Sequence, residues 1–123
     1  KLAPKHLDTH GAVRGFTTGY EAFGELESTP IPVSELVSWL KERGMQEGEV
    51  DQSFDPGRYL CDFIFYCSLC EAKRNGEGTL VLFVHVPPAG ERLEVRRCTE
   101  AIRAIAWFMA NKRRADSPKG NGA

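Results

Sequence analysis

The chain has 123 residues, of which 41% are hydrophobic and 27% charged, a balance typical of one soluble globular domain. Its net charge of −1 does not imply a polyanionic partner, so we predict no nucleic-acid partner. No apolar run approaches the roughly 18 residues of a membrane span, so we predict no membrane partner.

The N-terminus, Lys1 to His10, is polar, so no signal peptide is predicted. We therefore predict a cytoplasmic protein whose four cysteines are reduced thiols.

Three helices are predicted from apolar residues that recur at three- and four-residue steps. The first begins within residues 31–34 and ends at Gly44, which suits a left-handed C-cap. The second spans residues 58–73 and the third spans residues 93–112. The basic run Lys112-Arg113-Arg114 ends the third helix, where cations suit the helix dipole. A patch that binds nucleic acid is the alternative interpretation of this run.

Two of these helices have a stripe of residues predicted to share one face. In the second helix these residues are Cys61, Phe65, Ser68, Leu69 and Ala72, and because Phe63 and Tyr66 lie on other faces we predict that this helix is buried on more than one side. In the third helix the predicted buried stripe is Val95, Cys98, Ile102, Ile105 and Met109.

Residues 79–86 form a continuous β-branched and aromatic run, which is typical of a central strand covered on both faces. Pro87 and Pro88 forbid its continuation, and a shorter strand is predicted near residues 50–54. The alternation of helices and strands predicts an α/β fold, a three-layer α/β/α architecture with a mostly parallel sheet. Because two strands make a poor sheet, we expect this fold to be truncated at its amino-terminal side.

The predicted organisation is a single α/β domain over residues 1–114, in which residues 1–30 are rich in loops. A disordered tail is predicted over residues 115–123, which contain nothing that could build a core.

Cys61 and His85 are the best candidates for chemistry. Cys61 is predicted at the start of the second helix, where unsatisfied N–H groups and the helix dipole favour a thiolate. His85 ends the predicted strand, and a histidine beside the thiol could accept its proton. In an α/β unit, both would lie at the carboxyl edge of the sheet. The alternatives are a buried structural thiol and a core histidine bonded to the backbone.

Other motifs give weaker signals. Cys67 and Cys70 form a C-x2-C motif, which could be a zinc half-site or a redox pair, but it has no second half and lies in an apolar helix. His6 and His10 lie four residues apart in a segment with no predicted helix, so solvated histidines are favoured over a metal site. We predict no metal and no cofactor.

Two motifs resemble the pyroglutamyl-peptidase I (pyrrolidone-carboxylate peptidase) family of cysteine peptidases. The run Gly57-Arg58-Tyr59-Leu60-Cys61 matches the family's nucleophile block, and Phe83-Val84-His85-Val86-Pro87 matches its histidine block. The resemblance is strong from about Phe54 to Pro88 and continues weakly through the last helix. It implies an α/β/α fold and a Glu–Cys–His triad that removes an amino-terminal pyroglutamyl residue from peptides.

Carried onto this chain, the resemblance implies that Cys61 is the nucleophile and His85 the general base. Tyr59 matches an aromatic residue that lines the pyroglutamate pocket, and Arg14 matches a basic residue near the site. The implied partner is a peptide with an N-terminal pyroglutamate, and the oligomeric state is not predicted.

The chain departs from the family in two places. Neither the family's Thr-Gly-Phe-x-Pro-Phe-Gly segment nor its triad glutamate has a match in residues 1–123. We therefore interpret the sequence as the carboxy-terminal portion of such a peptidase. The alternative is a catalytically degenerate relative with a binding or other non-enzymatic role.

Overall fold

The protein is described by a computed structural model over residues 22–23, 27–55 and 60–116. Within these ranges the chain forms three α-helices, which are α1 (Val33–Glu42), α2 (Leu60–Asn75) and α3 (Val95–Asp116). The three helices predicted from periodicity are confirmed, with bounds that differ by two to four residues at most ends. Such shifts are common because helix ends fray.

The predicted α/β/α fold with a mostly parallel sheet is wrong. In the ranges that the structure describes there are three helices and no β-strand. A strand needs a neighbour that accepts and donates its backbone hydrogen bonds, and a parallel neighbour requires a long crossover connection. A run of β-branched residues meets neither requirement by itself, because β-propensity depends on the packing around it.

The two predicted strands therefore take other forms. Residues 79–88, which follow α2, have no regular secondary structure. Residues 51–53, which lie between α1 and α2, have none either. Val84 and Val86, which were expected in a buried strand, are 41% and 45% exposed.

The chain divides into two compact units. The first comprises Lys1–Pro30 and Ser53–His85 and contains α2, and the second comprises Ile31–Gln52 and Val86–Ala123 and contains α1 and α3. Because the chain passes between the units three times along its length, each unit is built from segments distant in sequence. The single domain expected over residues 1–114 stays a prediction.

In the first unit, the buried residues of α2 include Leu69 but none of the other residues predicted to share its face. The buried residues lie at steps of four, three and one, and they are Asp62, Tyr66, Leu69 and Cys70. Gly76, with a φ of +65°, follows the last helical residue and allows the left-handed turn that ends the helix. Glu27 forms an ion pair with Lys73 in the last turn of α2, which ties residues 27–30 to this helix.

In the second unit, α1 and α3 pack against each other. The buried apolar residues are Ile31, Leu36, Leu40, Met45, Ile105 and Phe108. Trp39 of α1 contacts Phe108 of α3, with ring centroids 5.4 Å apart. Val95 and Ile102, two members of the predicted α3 stripe, are exposed instead. Gly44, with a φ of +106°, follows the C-cap of α1 as predicted.

An ion pair closes the loop after α1 onto the start of α3. Arg97 donates from Nε to Oε2 of Glu49 at 3.0 Å and from Nη2 to Oε1 at 2.9 Å. The same Nη2 donates to the carbonyl oxygen of Gly44 at 3.1 Å. The hydrogen bonds from Arg97 and from the backbone N–H of Gln46 lower the pKa of the Glu49 carboxyl below its ordinary value.

This ion pair predicts a pH-dependent contribution to stability. Because folding lowers the pKa of Glu49, its contribution is present above about pH 5 and is lost as the pH falls through the lowered value. Glu49→Gln should therefore lower the thermal unfolding midpoint at pH 7, and the gap from wild type should narrow below about pH 4. Thermal unfolding at both pH values measures this gap.

Glu47→Gln is the matched control, because Glu47 also pairs with a cation but its side chain is 90% exposed. It should change the midpoint little at either pH. A gap for Glu49→Gln that is the same at both pH values would show that its charge is not the stabilising feature.

The helix α3 continues to Asp116, and the rest of the predicted tail, residues 117–123, lies outside the described residues. Among the described residues, none of the helices combines the length and the apolar character that crossing a membrane requires.

Candidate active site

The first candidate residue, Cys61, is the second residue of α2 and lies in its first turn. The N–H groups of a helix's first turn have no partner within the helix, and the helix dipole is positive there. Cys61 is a half-buried free thiol. The predicted position of Cys61 at a helix start is confirmed.

The second candidate, His85, is exposed and lies in the irregular segment that follows α2. Its ring contacts Phe83, with centroids 6.1 Å apart and ring planes inclined by 50°. The expectation of a histidine at the end of a buried strand is therefore wrong, since there is no sheet in the described ranges to bury it.

A series of aromatic rings connects this segment with α2. Phe65 lies four residues after Cys61, a spacing that places both on one face of the helix. The Phe65 ring contacts the Phe83 ring at 5.9 Å, and the Phe83 ring contacts that of His85. At the start of the same segment, the carbonyl oxygen of Val81 accepts a hydrogen bond from the side chain of Thr29. These contacts hold residues 81–85 beside α2.

The structure does not join the two candidates directly. Among the described residues, no hydrogen bond connects Cys61 and His85, and the contact of the His85 ring is with Phe83. The rings of Phe65 and Phe83 place the histidine segment along the helix face that carries Cys61. The catalytic pairing of Cys61 with His85 stays a prediction.

The remaining predicted site residues, Tyr59 and Arg14, lie outside the described residues, as do His6 and His10. Within the described ranges, no cluster of three or more histidine, cysteine, aspartate or glutamate side chains is arranged to hold a metal ion.

Asp62 is a buried carboxylate beside Cys61 in the sequence, and its burial was not predicted. This residue directly follows Cys61, and only 2% of its surface is exposed. Burying a carboxylate is costly unless it is well bonded, and the start of a helix is where a negative charge is most favourable. Asp62, Tyr66 and Leu69 share one helical face. Because a charged residue begins this face, hydrophobic periodicity gives no signal that it is buried.

Cys70 differs from Cys61 in its surroundings. It is completely buried, and this burial raises the pKa of its thiol, while a hydrogen bond with the Tyr66 side chain lowers it by less. A thiol held in its neutral form is a weak nucleophile and a poor metal ligand. These surroundings disfavour a redox or zinc role for the Cys67 and Cys70 motif.

Comparison with curated proteins finds similarity to pyroglutamyl-peptidase 1. The chain is 43% identical over 57 residues to the proteins of that name from Mus musculus and Rattus norvegicus. It is 45% identical over 57 residues to the one from Homo sapiens. The resemblance predicted from the two motifs is thus confirmed as a partial match.

The match covers 46% of this chain and 25% of each of these relatives. The chain therefore spans about a quarter of the length of the curated relatives that it matches. No protein-family model matches the chain. No solved structure matches it either.

Proposed function

We propose that this protein is a cysteine peptidase of the pyroglutamyl-peptidase I type, which removes an N-terminal pyroglutamyl residue from peptides. The observation that carries the proposal is the identity of 43–45% over 57 residues to three proteins named pyroglutamyl-peptidase 1. The position of Cys61 in the first turn of α2 supports it, because a helix start suits a thiolate nucleophile.

In the proposed reaction, His85 accepts the thiol proton of Cys61, and the sulfur attacks the carbonyl carbon of the pyroglutamyl peptide bond. The carbonyl oxygen becomes an oxyanion, and the N–H groups at the start of α2 are suited to stabilise it. The C–N bond then breaks as His85 returns the proton to the leaving amine, which leaves a thioester on Cys61. Water, deprotonated by His85, hydrolyses this thioester and releases pyroglutamate.

Substrate recognition is proposed for Tyr59 and Arg14, the two positions that match the family's pocket residues. Pyroglutamate is a flat, neutral lactam, and an aromatic ring such as that of Tyr59 covers such a ring without desolvating a charge.

The proposal predicts that the protein hydrolyses a pyroglutamyl-coumarin amide. A prolyl-coumarin amide is the matched control substrate, because proline has the same ring size but lacks the lactam carbonyl and carries a charged amine. Release of coumarin fluorescence from the pyroglutamyl amide alone is the expected result. If neither amide is hydrolysed, the non-catalytic alternative is the better account of the resemblance.

A further inference from the structure

Both tryptophans of the chain lie together in the second compact unit. Trp39 of α1 and Trp107 of α3 stack with their ring centroids 5.7 Å apart and their planes inclined by only 6°. The buried Phe108 supports Trp39. Trp107 is 56% exposed, so a large flat apolar surface faces solvent.

An arginine is held on this pair of rings. The guanidinium carbon of Arg43 lies 4.2 Å from the Trp39 ring centroid and 5.5 Å from that of Trp107. The backbone N–H of Arg43 donates to the carbonyl oxygens of Trp39 and Leu40, which fixes its main chain at the end of α1. A guanidinium stacked in this way keeps the N–H donors at its edge available.

The guanidinium of Arg43 has no acidic partner in the described part of the chain. Among the described residues no carboxylate bonds it, whereas Arg74, Arg96 and Arg97 each pair with a glutamate. Arg43 is also exposed. Its position therefore combines fixed geometry, accessible N–H donors and a positive charge that no carboxylate pairs within the described ranges.

A second arginine extends this surface. Arg103 lies four residues before Trp107 in α3, on the same side of the helix, and is exposed. Within the described ranges no carboxylate bonds Arg103 either. We call this surface the tryptophan–arginine patch; it comprises Trp39, Arg43, Arg103 and Trp107.

We propose that the tryptophan–arginine patch binds an acidic peptide segment of a partner protein, with carboxylates next to an aromatic or branched apolar side chain. The two arginines complement the carboxylates in charge, and the planar guanidinium matches a carboxylate through two parallel hydrogen bonds. The exposed Trp107 ring receives the apolar side chain. Tryptophan and arginine are also the residue types that contribute most at the centres of protein interfaces.

A nucleic-acid ligand fits the patch less well. Binding to nucleic acid depends on neutralising many phosphates, and the patch supplies two cations on a chain of net charge −1. A short peptide needs only one or two such contacts. The proposal does not depend on the peptidase activity.

Intrinsic fluorescence tests the proposal directly, because both tryptophans of the chain belong to the patch. The full chain is titrated with the tryptophan-free peptide Glu-Phe-Glu-Glu-Phe-Glu, blocked at both ends. A saturable change in tryptophan emission is expected with this peptide and not with its counterpart that has lysine in place of each glutamate. The variant Arg43→Gln should weaken binding about tenfold, as expected for the loss of hydrogen bonds to a charged group.

Arg96→Gln is the matched control, since Arg96 is an exposed arginine of α3 that is already paired with Glu100. It should bind the acidic peptide as wild type does. No saturable change with the acidic peptide overturns the proposal, and so does equal binding by wild type and Arg43→Gln. Binding of an oligothymidine of equal length in preference to the acidic peptide also overturns it, in favour of nucleic acid.

Discussion

Replacing Cys61 with alanine is expected to reduce hydrolysis of a pyroglutamyl-coumarin amide to background. In the proposed mechanism the sulfur forms the covalent thioester, and alanine offers no nucleophile in its place. Removing the nucleophile of a serine peptidase costs on the order of 10⁶-fold in turnover, and a loss on that scale is expected here. Because Cys61 is only half-buried, the variant should keep the thermal unfolding midpoint of the wild type within a few degrees. Steady-state turnover and thermal unfolding, measured on the same preparations, separate the two effects.

Cys98→Ala is the control for this experiment. Cys98 is also a half-buried free thiol near the start of a helix, α3, and the proposed mechanism gives it no role. Its replacement should leave turnover unchanged. Turnover that persists in Cys61→Ala would end the claim that Cys61 is the nucleophile, whatever the result for Cys98.

The helices were predictable because their signals are local. The apolar spacing of α1 and the glycine at position 44 both lie within a dozen residues, and they determine where this helix forms and where it ends. The cysteine at the start of α2 could be located for the same reason. The sequence therefore predicted the position of Cys61 at the start of a helix.

The sheet was not predictable because pairing of strands is not local. Residues 79–86 have the composition of a buried strand, but the described residues contain no second strand that could pair with them. The predicted position of His85, at the end of a strand, required that sheet. Its actual position follows from ring contacts between Phe65, Phe83 and His85, which no short-range pattern encodes.

The buried face of α2 shows another limit of prediction from sequence. Aromatic and apolar residues surround this helix on several sides, so periodicity alone could not select one face. Of the residues predicted to share a face with Cys61, the structure buries Leu69, and it also buries Asp62, Tyr66 and Cys70. Composition disfavoured the correct face because charged residues are rarely buried. A buried aspartate next to the proposed nucleophile is nevertheless a feature that only the structure reveals.

Replacing His85 with glutamine is expected to lower turnover without lowering stability. General acid–base catalysis contributes about 10²- to 10⁴-fold, and glutamine cannot accept the proton of Cys61. The side chain of His85 is exposed and its described contact is with the ring of Phe83, so its loss removes little packing. The turnover number for the pyroglutamyl amide should therefore fall by about 10²-fold or more while the thermal unfolding midpoint stays that of the wild type.

Val84→Ala provides the comparison for this variant, because Val84 precedes His85, is exposed, and has no role in the proposed chemistry. It should retain wild-type turnover. A His85→Gln variant with full turnover would remove His85 from the mechanism. A variant that unfolds at a lower temperature and keeps its turnover per folded molecule would instead assign the Phe83–His85 contact a structural role. Turnover and thermal unfolding together thus distinguish a general base from a residue that packs against Phe83.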